Sequence, residues 1–91
     1  MLRRWAKDDD LWKRRAAIIA QTRLRDATDT RLLEDCIAPS IARTEFWLRK
    51  AIGWALRSYA YTDMAWVKRY VAAHPELSGL SRREALKHAH S

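Results

Sequence analysis

Cations and aromatic rings alternate along one stretch of the chain. Arg43, Trp47, Lys50, Trp54, Arg57 and Tyr61 follow one another at spacings of 4, 3, 4, 3 and 4. At about 100° per residue they fall on one arc of a helix. Guanidinium and ammonium groups pair with phosphates, and the rings between them offer flat apolar surface to sugars or bases. Arg15 has a related setting, in the arc Leu11, Arg15, Ile18 and Thr22. An arginine in a mostly uncharged stripe needs an anionic partner. That partner is either a ligand or an internal carboxylate, with Asp35 and Glu45 as the candidates by spacing. For Trp47, and less so for Trp54, burial between neighbouring helices is the competing reading.

The remaining reactive side chains form no site by spacing. His88-x-His90 and His74 lack a metal-ligand pattern, because residues two apart point to different faces of a helix. Cys36 lies in the apolar stripe Leu32, Leu33, Cys36, Ile37 and reads as a core thiol. Asp8-Asp9-Asp10 reads as a helix cap with solvated charges. The chain has no Gly-rich phosphate loop, no nucleophile elbow and no carboxylate pair in an apolar setting. No metal or cofactor is expected.

Composition agrees with a nucleic-acid partner. The 91 residues carry 18 Lys+Arg against 11 Asp+Glu, a net charge of +7, together with five Trp. Phosphates attract the charge and bases stack on the rings. A hydrophobic content of 48% excludes a disordered basic tail. Two Gly and two Pro argue against a sandwich or barrel of many tight turns. One cysteine excludes an internal disulfide. No apolar run reaches the roughly 18 residues of a membrane span, and residues 1–8 lack the apolar core of a signal peptide. No membrane is expected as a partner.

The elements that position these residues repeat. Leu11-Trp12-Lys13-Arg14-Arg15-Ala16-Ala17 reappears 35 residues later as Phe46-Trp47-Leu48-Arg49-Lys50-Ala51-Ile52. Asp29-Thr30-Arg31-Leu32-Leu33 reappears 34 residues later as Asp63-Met64-Ala65-Trp66-Val67. A shorter echo, Arg83-Glu84-Ala85-Leu86, lies 34 beyond Arg49-Lys50-Ala51-Ile52. Each unit reads as a helical hairpin, with helices over Asp10–Arg25, Asp29–Ala38, Thr44–Tyr61 and from Thr62 or Asp63 to His74. Pro39 and Pro75 mark ends. Ser81-x-x-Glu84 has capping-box spacing and opens a last helix to about His90. In the third helix Leu48, Ile52, Leu56 and Tyr59 form the core stripe, opposite the cation and ring face. The expected fold is all-α: a HEAT-like solenoid of about five helices. Residues 1–91 form one domain, with repeats over about 8–42 and 43–77 and a terminal helix over about 81–90. A solenoid normally needs about three repeats. The chain therefore reads as the C-terminal part of a longer one, with Leu2, Trp5 and Ala6 ending an earlier helix. A small protein that forms a homodimer through its open N-terminal end is the alternative.

Several stretches together resemble the AlkD-like DNA alkylation repair glycosylases, in their C-terminal half. They are Trp5-x6-Trp12-x2-Arg15-x-Ala17-Ile18, Glu45-Phe46, Lys50-Ala51-Ile52-Gly53-Trp54-x-Leu56-Arg57-x-Tyr59-Ala60, and Leu80-Ser81-x-Arg83-Glu84-Ala85-x-Lys87-His88. The resemblance implies a solenoid whose concave basic face holds double-stranded DNA. It implies a cytoplasmic protein, nucleoid-associated if bacterial, that acts on N3- and N7-alkylated purine lesions. Those bases are cationic leaving groups, and a carboxylate beside the deoxyribose stabilises the oxocarbenium-like transition state. Arg15 matches the family's cleft arginine and Trp54 a cleft tryptophan, while Lys50 and Arg57 match nearby basic residues. These four are the expected DNA contacts. The family's catalytic aspartate has no counterpart here, and Asp8, Asp9 and Asp10 do not match it. A HEAT-like nucleic-acid-binding or protein-interaction module without catalysis is the other reading.

Overall fold

The caps place the helices. A computed structural model describes residues 1–87, and in it side chains at four loop ends satisfy an open helix N-terminus. Asp10 accepts from the Trp12 amide at 2.9 Å and starts α2, Leu11–Ile19. Asp29 accepts from Leu32 at 3.1 Å and starts α3, Thr30–Ile37. Asp63 accepts from Trp66 at 2.9 Å and starts α5, Met64–Ala73. Asp29 and Asp63, equivalent in the repeat, thus do the same work. Asp8 braces the first cap by accepting from the Asp10 amide at 2.8 Å. Ahead of these lies a short helix, α1, Leu2–Ala6, and between α3 and α5 runs the longest, α4, Phe46–Ala60. The last described helix is α6, Gly79–Ala85. All six are α-helical, and no strand occurs among the described residues.

Helices α2, α4 and α6 lie side by side with α4 in the middle. Behind them α1 packs on α2 and α3, and α5 packs on α4 and α6. The shortest dimension, 18 Å, has room for two helix layers. The core lies between the layers. Leu48, Ile52 and Leu56 of α4 are buried against Ile18, Leu33, Ile37, Val67 and Val71, while Tyr59 is only partly buried. A smaller cluster joins Ala6, Ala17 and Cys36. Burial pushes the Cys36 thiol pKa up, which keeps the thiol protonated. None of the helices is long and apolar enough to cross a membrane, among the described residues.

Several expectations shift. The helix expected over Asp10–Arg25 stops at Ile19. Gln21 there grips the main chain of Asp29 with both ends of its amide, accepting from the nitrogen at 2.8 Å and donating to the carbonyl at 3.0 Å. That contact turns the chain early, through a 3₁₀ turn over Arg25–Ala27 that holds Arg25 at φ 51°. The helix expected from Thr44 is preceded instead by Glu45, whose side chain makes no cap bond. The capping box at Ser81 is displaced by three residues. Ser78 is the cap, accepting from the Ser81 amide at 3.0 Å, and Ser81 lies buried inside α6. The Ser81 hydroxyl donates to the Arg49 carbonyl at 2.8 Å and ties α6 to α4. That last helix also ends at Ala85, short of the expected His90, with Leu86 and Lys87 in a turn, while histidines 88 and 90 lie outside the described residues.

Candidate nucleic-acid interface

Helix α4 presents the middle of its two arcs as its periodicity requires, whereas Arg43 precedes the helix and Tyr61 follows it. With Leu48, Ile52 and Leu56 turned inward, Trp47 and Trp54 stand out at 60% and 40% exposure. Burial of Trp47 between repeats is therefore not what the fold does with it. Trp12, its repeat equivalent, is 67% exposed. Arg15, Trp47, Lys50, Trp54 and Arg57 line one open groove floored by Ala51. The four expected contact residues thus come together, three from α4 and Arg15 from α2. One end of the groove leads to an apolar step of Leu11, Trp12, Phe46 and Trp47, where the last two rings meet edge to face at 5.1 Å.

The charges of this face are unequally engaged. Arg15 meets no carboxylate among the described residues. Asp35 is taken by Arg3 at 2.7 Å and Glu45 by Arg43 at 2.6 Å, so neither internal partner expected from spacing is available. The Arg15 guanidinium carbon instead lies 6.0 Å over the Trp12 ring, the geometry of a cation–π contact. Arg43 grips Glu45 with two parallel bonds, Nε to Oε1 at 3.0 Å and Nη2 to Oε2 at 2.6 Å. Its charge is consequently spent inside the chain.

That pair has a pH consequence. The Arg43 hydrogen bond, helped by the Glu45 amide, lowers the Glu45 carboxyl from 4.5 to about 2. A carboxyl depressed on folding stabilises the native state above its unfolded value, and the effect is lost as pH falls through the folded value. Between about pH 4.5 and 2 the wild type should lose more stability than Glu45→Gln. Urea midpoints of the two proteins at pH 5 and pH 2.5 measure the difference; equal losses would mean that the pair does not persist in solution.

Two residues that matter here were not singled out for it by local pattern. Arg14, not its neighbour Arg15, is the buried arginine of α2, at 8% exposure. It donates to the carbonyls of Asp8 at 2.6 Å and Pro39 at 3.1 Å, and to Ser40 Oγ at 3.2 Å. Glu84, expected to cap α6, lines the groove instead. Its Oε1 lies 3.7 Å from Lys50 Nζ and 3.6 Å from Arg57 Nη1. The repeat register carries the signal for it: Arg15, Lys50 and Glu84 stand 35 and then 34 residues apart. Among the described residues no three His, Cys, Asp or Glu gather as metal ligands.

Comparison with known proteins adds to this geometry. The family model described as DNA alkylation repair enzyme matches residues 1–89. The solved structure of a predicted DNA alkylation repair enzyme from Enterococcus faecalis superposes with a TM-score of 0.88 at 34% identity, over 92% of this chain. This chain spans 39% of the length of that one. No curated protein matches. A family match that takes in both α2 and α4 and runs past α6, with a related fold on a chain one-third identical, means that this chain belongs to the DNA alkylation repair enzyme family.

Proposed function

We propose that residues 1–91 bind double-stranded DNA along the groove formed by α2, α4 and α6, with Arg15, Lys50, Trp54 and Arg57 as the contacts. Within a longer protein this face supports glycosylase excision of N3- and N7-alkylated purines. The observation that carries this reading is the gathering of three cations and two exposed indoles in one open groove. Cations there hold phosphates in place, and the rings lie against deoxyribose or an exposed base edge. Excision needs a carboxylate near the sugar to stabilise the developing positive charge. By the resemblance the catalytic aspartate has no counterpart in this sequence; Asp10, Asp29 and Asp63 are engaged as caps, and Glu84, the carboxylate in the groove, lies against Lys50 and Arg57. Residues 1–91 alone are therefore expected to bind a duplex containing 7-methylguanine without releasing the base. Chromatographic assay of free base after incubation checks this. Robust release would place catalysis on residues of this chain and contradict the division of labour.

The apolar step of Leu11, Trp12, Phe46 and Trp47 favours a second reading, a protein-interaction module without catalysis. Salt separates the two. Phosphate neutralisation gives an affinity that falls steeply with ionic strength, whereas an apolar protein contact changes little. Absence of duplex binding at low salt favours the protein partner.

A further inference from the structure

Glu84 is the one carboxylate lining the groove among the described residues, and its position is fixed by backbone packing. Gly53 of α4 faces it so closely that a Cβ on Gly53 would come within 2.5 Å of Glu84 Cβ and 3.3 Å of Ser81 Cα. The Ser81 hydroxyl bond to the Arg49 carbonyl holds the same turn of α6. Lys50 and Arg57 stand three residues before and four after Gly53, so both reach the carboxylate delivered over it. A single oxygen, Oε1, lies near both cations, and both distances exceed hydrogen-bond length. The cations therefore keep their N–H donors for another acceptor. Glu84 is also the least exposed of the three, its side chain at 20% against 42% for Lys50 and 27% for Arg57.

We propose that Glu84 is a built-in counter-charge of the DNA-binding groove, a specificity-determining residue that restrains the grip of Lys50 and Arg57 on phosphate. With Glu84 ionised the trio carries one net positive charge in place of two. A phosphate arriving at Lys50 or Arg57 meets a carboxylate already there, so sequence-independent attraction to the backbone is weakened. Arg15, without such a partner, keeps its full charge. The groove thus grades from an unopposed cation on α2 to opposed cations on α4. Binding then depends more on Trp54 and Arg15 and less on undirected charge. This proposal rests on the DNA-binding reading above.

Glu84→Gln keeps the shape of the side chain and removes its charge. Titrating a short undamaged duplex at several salt concentrations, with wild type and variant side by side, tests the proposal. The variant is expected to bind roughly fivefold tighter at low salt, because a like charge beside the phosphate site is gone. Its plot of log affinity against log salt should steepen by up to about 0.9, the equivalent of one more neutralised phosphate. In an Arg57→Gln background the gain should shrink, since one of the opposed cations is then missing. A merely structural role for Glu84 would not move the salt slope. If wild type binds and the variant binds no tighter with the same slope, the counter-charge is wrong while DNA binding stands. If neither protein binds duplex at low salt, both fail together. Far-UV circular dichroism of the variant, expected to match wild type, separates these outcomes from misfolding; should it unfold, Glu84 is a fold-holding residue and the proposal is overturned.

Discussion

Arg14→Ala should destabilise the protein by about 3 kcal/mol, while the same change at the adjacent Arg15 should cost well under 1 kcal/mol. The two side chains differ only in which way a helix turn points them. Arg14 goes inward and clamps three acceptors from separate segments: the carbonyl of Asp8 before α2, the carbonyl of Pro39 and the hydroxyl of Ser40 after α3. Hydrogen bonds from a charged donor contribute about 1.5–3 kcal/mol each, and removing the donor leaves buried acceptors behind. Ser40 is itself 1% exposed, so water does not easily replace the guanidinium. In a chain of this size each kcal/mol moves the melting temperature by about 4–8 °C. A loss of roughly 12–24 °C is therefore expected. Arg14→Lys should recover only part of it, because a compact ammonium cannot span the fork of acceptors. Thermal melts of the three variants decide the matter, and an Arg14→Ala protein melting within a few degrees of wild type would show that the clamp carries little.

The second large effect concerns DNA. Arg15→Ala should weaken duplex binding roughly tenfold and flatten the salt slope by about 0.9, the signature of one lost phosphate contact. Trp54→Ala should weaken binding by a comparable or larger factor, since stacking against a ring contributes about 1–3 kcal/mol. Its salt slope should stay unchanged, because no counterion is released on its account. The contrast in slope matters more than either loss, for it separates charge from stacking within one groove. Both residues lie outside the core, so helical content should hold in each variant. Arg14 serves as the internal control: its truncation should reduce binding only to the extent that it unfolds the chain.

Much of the scaffold was legible in the sequence because its determinants are local. The helix starts near Asp29 and Asp63 and the stripe Leu48, Ile52, Leu56 depend on neighbours within a turn or two. The opposite arc of α4 follows from the stripe by helix geometry alone, which is why Lys50, Trp54 and Arg57 share a groove. What was not legible depends on contacts across the fold. The end of α2 is set by Gln21 reaching Asp29, and nothing near Ile19 announces it. Two serines three apart, Ser78 and Ser81, are both good caps, and the choice falls on Ser78 because the Ser81 hydroxyl is wanted by Arg49. Once the helix starts three residues early, Glu84 turns from the helix end to the groove. Arg14 and Arg15 are equally basic, and only the path of the loops around Pro39 and Asp8 distinguishes them.

The most direct measurement is a titration of a short DNA duplex with the wild-type chain and with an Arg15→Ala/Trp54→Ala double variant, each followed by far-UV circular dichroism. Wild type should bind at low salt and lose affinity steeply as salt rises. The double variant should lose most of that affinity with its helicity intact. Equal binding by the two proteins, or no binding by the wild type at low salt, would contradict the assignment of this groove to DNA.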